Sequence, residues 1–446
     1  MIKSLIPLIS LPWFAKYLNL EDFGTFALSI FFGTFISGLS NLGLLTVLER
    51  NYFEINRKHL RNYLFTIIFF VFCSLSLMIL AVFSLKTSLS ILIFRNNLIA
   101  DFLIYGLLFS GVKSLNQYFY VYLKNEENGK IYSLISIFEN AFNIILSLVF
   151  VINFQFGLKG FFSGQILGSL IVFIYFLFHF FNFSKCSLKL NLLSESLKLS
   201  LPLTPKIFFA VINTHFDRYM ISLLSTLSGV GIFVIGQKLS NSIFIFMTTI
   251  QQIFSPKVYK KMFSKNKLEF NSIGKYLTPF FFLCILFAMP FSLFSKEILY
   301  LFFPQEFQQG STVISILSIL YVVYFFGKQP QLVYAKKTAL ISWLTFFSIF
   351  LNICLNIPFI FFYGFIGAAW ATMIAGVIST LLNFYLGQKY TPIKYEKKLF
   401  IVLVYFIVVV LLNVLLESLI ENNTLQIIFK TTSILILVLI GIFLKL

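Results

Sequence analysis

The sequence predicts an all-α polytopic membrane protein with about 14 transmembrane helices, on three observations. Hydrophobic residues make up 59% of the 446 residues, and charged residues make up only 11%. Soluble domains carry about 25% charged residues. Apolar runs of about 20 residues, the length that crosses a bilayer, recur from end to end. No class of soluble globular protein combines these features.

The predicted spans follow one another closely along the chain. They cover residues 2–18, 23–47, 63–85, 102–123, 132–153, 160–182, 200–223, 229–252, 274–295, 311–334, 340–362, 366–388, 399–417 and 425–445. The first is short for a hydrocarbon core of about 30 Å, so we expect a partial helix or a misassigned start codon. Pro7 and Pro12 interrupt it and no small-residue cleavage site follows, so no cleaved signal peptide is expected.

Basic residues are distributed unevenly between the loops. Loops after even-numbered spans are rich in lysine and arginine, as in residues 257–275, whereas loops after odd-numbered spans hold few. Because cytoplasmic loops carry this excess, we expect both termini in the cytoplasm of a multi-pass protein of the bacterial inner (plasma) membrane. The same loops account for the net charge of +18. Nucleic acid is therefore not expected as a partner.

Motifs for common catalytic and metal sites are missing from the sequence. The four cysteines and three histidines show no metal or pairing pattern, so we expect no disulfide framework, no metal site and no cofactor. No Gly-rich phosphate loop, metal-binding His-Glu pattern or nucleophile elbow occurs. We therefore expect a transporter rather than an enzyme, and one that does not hydrolyse ATP itself.

Two short glycine-containing segments recur at an offset of 207 residues. Residues 24–27 (GTFA) match residues 231–234 (GIFV), and residues 157–160 (GLKG) match residues 364–367 (GFIG). Matches at one offset indicate two six-helix halves, and an even number of spans per half gives both the same orientation. The predicted domains are an N-terminal six-helix lobe, a C-terminal six-helix lobe and an extra helix pair, at residues 1–185, 186–390 and 391–446.

Several segments together resemble a known transporter family. They are residues 5–24 (LIPLISLPWFAKYLNLEDFG), 200–203 (SLPL), 217–219 (DRY), 230–233 (VGIF) and 255–260 (SPKVYK). Their order, with the 6+6+2 helix count, is similar to that of the Wzx-type polysaccharide flippases (O-antigen and capsule transporters) of the multidrug/oligosaccharidyl-lipid/polysaccharide exporter superfamily.

This resemblance implies a function. A flippase of this family would move a polyprenyl-pyrophosphate-linked oligosaccharide from the cytoplasmic to the outer face of the inner membrane, by alternating access through a cationic cavity. The partners implied are this lipid-linked oligosaccharide, membrane lipid and a polysaccharide polymerase, and the chain is expected to be a monomer.

Candidate substrate-binding residues are cations and amides within the predicted spans. A charge at bilayer depth costs roughly 2.5–3.5 kcal/mol, so it needs a partner or water. Lysine suits phosphate as a compact charge, and amides can bond sugar hydroxyls. The fourth span is expected to present Asn116 on one face with the lysine and glutamine around it. The candidates are Lys113, Gln117, Lys206, Arg218, Lys238, Asn241 and Lys328.

Several interpretations stay open at this point. Lys206 and Lys328 lie near enough to an interface to extend toward it instead. Glu139 and Asp217 are candidate ion-coupling residues, although each could be a structural carboxylate. A cation-coupled multidrug exporter or a peptidoglycan-precursor flippase of the same superfamily are the alternative functions. A membrane glycan polymerase or ligase would be expected to have a large outward loop, and the outward loops here are short.

Overall fold

A computed structural model describes residues 2–181, 186–264, 267–419 and 423–444. Every regular element in these ranges is helical, which confirms the predicted fold class. The α-helices, numbered in chain order, are α1 Ile2–Ala15, α2 Leu20–Asn41, α3 Leu44–Asn51, α4 Arg57–Phe94, α5 Ala100–Asn125, α6 Gly129–Leu148, α7 Gly157–Phe180, α8 Leu190–Ser200, α9 Thr204–Leu224, α10 Leu227–Met262, α11 Lys267–Asn271, α12 Ile273–Leu293, α13 Ser295–Phe302, α14 Gly310–Gly327, α15 Gln331–Tyr334, α16 Thr338–Tyr390, α17 Lys397–Leu419 and α18 Asn423–Leu444.

The helices are those of a multi-pass membrane protein. In the described ranges, 10 of them are long and apolar enough to cross a membrane. Each predicted span overlaps one or two of these helices. Because α1, α5 and α9 fall outside these 10, the count of 14 stays a prediction.

The longest helix carries two predicted spans. α16 has 53 residues, and a kink at Gly364 (φ 57°, ψ −137°) divides it. This left-handed conformation is one that glycine adopts without steric cost. The two arms correspond to the predicted spans 340–362 and 366–388. Asn352 Nδ2 of the first arm lies 3.3 Å from Thr372 Oγ1 of the second, whereas 20 residues of one straight helix would span about 30 Å. The chain therefore reverses direction at Gly364, and the two arms are two helices packed side by side, as the two predicted spans require.

The second predicted span, residues 23–47, is not one continuous helix. α2 ends at Asn41, and Leu42 (φ 46°) and Gly43 (φ 77°) adopt left-handed conformations before α3 begins. A side chain at Gly43 would also place a Cβ atom 2.8 Å from the Ser200 carbonyl oxygen. Hydropathy continues across this break, which is why the apolar pattern did not reveal it.

The 207-residue repeat extends to the ends of the helices. Asn19 caps α2 and Thr226 caps α10, each by accepting a hydrogen bond from the backbone N–H three residues later, at 2.8 and 3.0 Å. These two caps are 207 positions apart. Gly157 and Gly364, also separated by 207, both have a positive φ, of 53° and 57°. The matched segments therefore share backbone geometry as well as sequence.

One helix crossing recurs at the same offset. A Cβ atom at Gly106 of α5 would lie 2.1 Å from the Ser29 carbonyl oxygen of α2. Adding 207 gives Val313 of α14 and Gly236 of α10, and a Cβ atom at Gly236 would lie 2.7 Å from the Val313 Cβ. Each pair crosses closely enough to require glycine on one helix, so α2–α5 and α10–α14 are equivalent pairs.

Contacts divide the chain into two compact units, residues 2–223 (the first unit) and 224–446 (the second unit). α9 belongs to the first unit because its rings pack on α2. Phe208 and Phe35 have centroids 4.9 Å apart, and those of Tyr219 and Phe31 are 5.7 Å apart. The predicted lobes, with a boundary after residue 185, rest on the repeat rather than on contacts, and they stay a prediction.

Candidate substrate-binding and ion-coupling sites

Lys113 and Gln117 lie on an exposed face of α5. The Lys113 Nζ atom lies 5.4 Å from the ring centroid of Phe109, one turn earlier on the helix. The sequence predicts Asn116 on the same face, and this prediction is wrong. The Asn116 side chain is fully buried and is directed toward α6, because a buried carboxylate there provides its partner.

That carboxylate is Glu139, which is only 6% exposed. Its Oε1 accepts a hydrogen bond from Asn116 Nδ2 at 3.0 Å, and its Oε2 accepts one from the Tyr120 hydroxyl at 2.5 Å. The Asn116 amide also donates to the Ser169 carbonyl oxygen at 3.0 Å. Each carboxylate oxygen therefore has a donor, which buried polar groups require. Within the described residues, Asn116 Oδ1 is buried without a hydrogen-bond partner.

α9 carries three of the candidates. Asp217 is buried, at 8% exposure, and Arg218 is half-buried. The Arg218 Nη1 atom lies 3.1 Å from Nδ1 of His215, one turn earlier. Lys206 is in the first turn of α9, but its side chain lies outside the described residues.

α10 of the second unit presents a polar stripe, made up of Lys238, Asn241, Thr248 and Gln251. Their spacings of three and seven residues place them on one helix face, and each is partly exposed. The sequences of α10 and α14 contain no Asp or Glu. Polar and charged side chains within a span usually face water or protein rather than lipid. We call these four residues the α10 stripe.

Lys328 extends the α10 stripe. It follows the last residue of α14, and its carbonyl oxygen accepts a hydrogen bond from Gln251 Nε2 at 2.6 Å. Gln251 lies 13 residues beyond Lys238, which is about 20 Å along a helix. Lys238 and Lys328 are therefore separate positions along one polar face rather than parts of one compact site.

A charge cluster in the second unit is missing from the sequence-based set. Lys430 of α18 is fully buried, and its Nζ lies 2.7 Å from Glu297 Oε1 and 2.8 Å from Glu417 Oε1. Asn413 Nδ2 also donates to Glu417 Oε1, at 3.2 Å. The sequence could have indicated this cluster, because Lys430 lies within an apolar span and a charge there needs a partner. Its partners lie 133 and 13 positions away, so spacing could not reveal them.

Comparisons with known proteins agree with this architecture. Residues 1–256 match the family model described as "Polysaccharide biosynthesis protein". A Haloferax volcanii protein named "Probable low-salt glycan biosynthesis flippase Agl15" is 26% identical over 185 residues, which cover 40% of this chain and 39% of that relative. The match thus spans about two fifths of the curated relative's length.

Two solved transporter structures share the fold. The inward closed structure of the lipid II flippase MurJ has a TM-score of 0.70 at 18% identity and covers 100% of this chain and 97% of that one. An inward-facing multidrug resistance MATE family transporter of the MOP superfamily has a TM-score of 0.66 at 15% identity, covering 87% and 94%. At these identities the likeness shows the fold alone.

Proposed function

Because the chain belongs to the polysaccharide biosynthesis protein family, we propose that it is a flippase for a lipid-linked saccharide. The proposed substrate is a polyprenyl-pyrophosphate-linked oligosaccharide, an O-antigen or capsule repeat unit. It is moved from the cytoplasmic to the outer face of the bacterial inner membrane by alternating access. A polysaccharide polymerase that receives the product is the further partner, and the transporter acts as a monomer.

The α10 stripe is the observation that carries this proposal. It places Lys238 and two amides on one face of a pair of helices that have no acidic residue. Moving an unpaired diphosphate through hydrocarbon is prohibitive, so a path for it must supply cations and water. Lysine binds phosphate as a point charge, and the amides of Asn241 and Gln251 can pair with sugar hydroxyls. The stripe provides both kinds of contact.

The first unit supplies residues of the same chemistry. Lys113 and Gln117 share an exposed face of α5, and we propose that they contact the diphosphate and the glycan. Lys206 and Arg218 are proposed as further contacts to phosphate. The complete proposed set is Lys113, Gln117, Lys206, Arg218, Lys238, Asn241 and Lys328.

Glu139 is the proposed ion-coupling residue, with Asp217 as a second candidate. Its carboxylate lies beside the Ser169 carbonyl oxygen that shares the Asn116 amide. Carboxylate and carbonyl oxygens suit hard cations, and a carboxylate can instead take a proton. Glu139→Gln is expected to abolish the acceleration of transport by an imposed proton or sodium gradient. The control Glu126→Gln, at an exposed residue, should keep the acceleration by the gradient. If both variants are accelerated equally, Glu139 is not the coupling residue.

The same buried acid favours one alternative function. A cation-coupled multidrug exporter would use Glu139 to exchange an ion for an organic cation. Lys238 of the α10 stripe and Lys328 beyond it argue against this function, because they would repel a cationic drug. Dye efflux from cells that overproduce the protein separates the two functions. A multidrug exporter should expel a cationic dye, and a flippase for a lipid-linked saccharide should not.

The proposed function can be tested in a deletion strain that has no second flippase. The strain is complemented with wild type, Lys238→Ala or the control Lys275→Ala, an exposed lysine of the same unit. A membrane-impermeant glycan label is applied to intact spheroplasts. Wild type and Lys275→Ala should expose the lipid-linked oligosaccharide, and Lys238→Ala should leave it inside. If deletion does not change the labelling, the flippase function is wrong.

A further inference from the structure

Two lysines of the second unit are held beside one aromatic ring. The Nζ atoms of Lys257 and Lys261, near the end of α10, lie 4.9 and 5.7 Å from the ring centroid of a tyrosine. The ring belongs to Tyr276, in the first turn of α12. Both distances are within the range of a cation–π interaction. We call Lys257 and Lys261 the lysine pair.

A serine fixes one member of the lysine pair more tightly. The Ser272 hydroxyl accepts a hydrogen bond from Lys261 Nζ at 2.5 Å and donates one to the Glu269 carbonyl oxygen at 2.7 Å. A lysine ammonium has three N–H donors, and this bond uses one of them. A cation that is already positioned loses little conformational entropy when an anion arrives.

The lysine pair concentrates positive charge. Its members are one helical turn apart, and like charges at this spacing repel each other. None of the ion pairs between described residues includes either lysine. The sequences of α10 and α12 contain no Asp or Glu, and the side chain of Glu269 on α11 is exposed. An anion bound beside the pair would relieve this repulsion.

The lysine pair is separate from the α10 stripe. Lys257 follows Thr248 by nine residues, a rotation of about 900°, so the two side chains point to opposite sides of α10. Lys257 accordingly approaches α12, through Tyr276. Gln251 of the stripe instead bonds to the residue that follows α14. The pair is therefore not a continuation of the proposed substrate contacts.

The position of the lysine pair favours a lipid phosphate. The segments that contain α10 and α12 are both long and apolar enough to cross a membrane, and the pair lies where the first ends and the second begins, at headgroup depth. The sequence predicts this end to be cytoplasmic. Phe263 and Leu268, close to the pair along the chain, are 70% and 77% exposed. A soluble anion does not account for these apolar side chains, whereas acyl chains would cover them.

We propose that the lysine pair binds the phosphate of an anionic phospholipid, such as phosphatidylglycerol, in the cytoplasmic leaflet. Basic pockets between transmembrane helices on the cytoplasmic side suit such headgroups. Lysine meets the phosphate as a compact point charge, and the acyl chains pack against Phe263 and Leu268. This inference goes beyond the proposed function, because the ligand is a resident lipid of the membrane rather than the transported substrate.

The test measures lipid binding to the full chain by native mass spectrometry from neutral detergent micelles. The probes are phosphatidylglycerol, phosphatidylcholine with the same acyl chains, and a short-chain polyprenyl diphosphate. A lysine near an anionic headgroup contributes about fivefold in affinity, so wild type should prefer phosphatidylglycerol over phosphatidylcholine by about 25-fold. Lys257→Gln and Lys261→Gln should each lose about fivefold of this preference. Lys257→Arg, which keeps the charge, should retain it.

A matched control separates a built site from diffuse positive charge. Lys389→Gln removes an exposed lysine at the end of α16 and should bind phosphatidylglycerol as wild type does. If this control loses as much affinity as Lys257→Gln and Lys261→Gln, the site is wrong. It is also wrong if wild type binds both phospholipids alike, or if both glutamine variants keep the wild-type preference. If those variants lose affinity for the polyprenyl diphosphate and not for phosphatidylglycerol, the pair belongs to the substrate path and the proposal is overturned.

Discussion

Removing the buried lysine of the second unit is expected to destabilise that unit strongly. In Lys430→Met the apolar body of the side chain is kept and the charge is lost. Glu297 and Glu417 then lie around one site without their shared cation, since both carboxylates contact Lys430 Nζ at 2.7–2.8 Å. Like charges at short range in a poorly solvated place repel each other.

The size of the effect follows from burial. Removing one partner of a buried ion pair costs about 3–5 kcal/mol. Glu297 is 30% exposed and Glu417 is 11% exposed, so water relieves part of this penalty and we expect the low end, about 3 kcal/mol. For a unit of roughly 220 residues this corresponds to a drop in Tm of about 6–12 °C.

A buried thiol supplies the assay. Cys284 is buried in the core of the second unit, so a thiol-reactive fluorophore reports when that unit opens. The other three cysteines, Cys73, Cys186 and Cys354, are replaced by serine in the background protein. The control is Lys398→Met, which removes a looser pair with Glu396 (3.7 Å) at 25% and 28% exposure and a hydrogen bond from Nζ to the Leu444 carbonyl oxygen (3.0 Å).

The control and a rescue variant decide the outcome. Lys398→Met should cost about 1–2 kcal/mol, less than Lys430→Met, because it removes one partly exposed ion pair and one hydrogen bond without leaving two buried acids together. Adding Glu417→Gln to Lys430→Met should restore part of the lost Tm, because one of the two opposing charges is removed. If Lys430→Met melts with wild type, or if the added substitution lowers Tm further, the electrostatic account of this cluster is wrong.

Two further predictions concern the first unit. Gly106→Ala places a Cβ atom 2.1 Å from the Ser29 carbonyl oxygen and should destabilise the first unit by about 3 kcal/mol, the upper end for overpacking, seen as faster amide exchange in α2 and α5. Gly129→Ala, whose Cβ would meet no described atom within 4 Å, should leave that exchange unchanged. Tyr63→Phe removes the 2.6 Å hydrogen bond between the Tyr63 and Ser196 hydroxyls and should cost about 1–2 kcal/mol, seen as faster amide exchange in α8, and unchanged exchange there would contradict it.

The sequence predicts the helices well because a bilayer imposes length and hydropathy on each span. It also predicts the repeat. Positions such as 157 and 364 need a positive φ, so glycine recurs at them with a fixed offset of 207 residues. Leu42 shows the limit of this reasoning. It is an apolar residue in a left-handed conformation, and nothing in its hydropathy distinguishes it from the helical leucines around it.

Side-chain partners were the part that could not be predicted. Helical spacing alone does not show whether Asn116 lies on the exposed polar face of α5 or packs against α6. In the structure it packs against α6, because its amide donates a hydrogen bond to Glu139 there. Lys430 likewise needs a partner, but its acids come from α13 and α17. Which helices lie side by side is set by tertiary packing, and a single sequence with 3.6-residue periodicity does not contain that information.

The measurement that tests the central claim most directly is transfer in reconstituted vesicles. A fluorescent lipid-linked saccharide is incorporated in both leaflets, and a membrane-impermeant reagent destroys the outer label. Wild type and Lys275→Gln should expose the inner pool. Lys238→Gln should slow transfer about tenfold or more, the value of a hydrogen bond to a charged group. If Lys238→Gln transfers as fast as wild type, or wild type is no faster than protein-free vesicles, the proposed lysine-lined path for a lipid-linked saccharide is wrong.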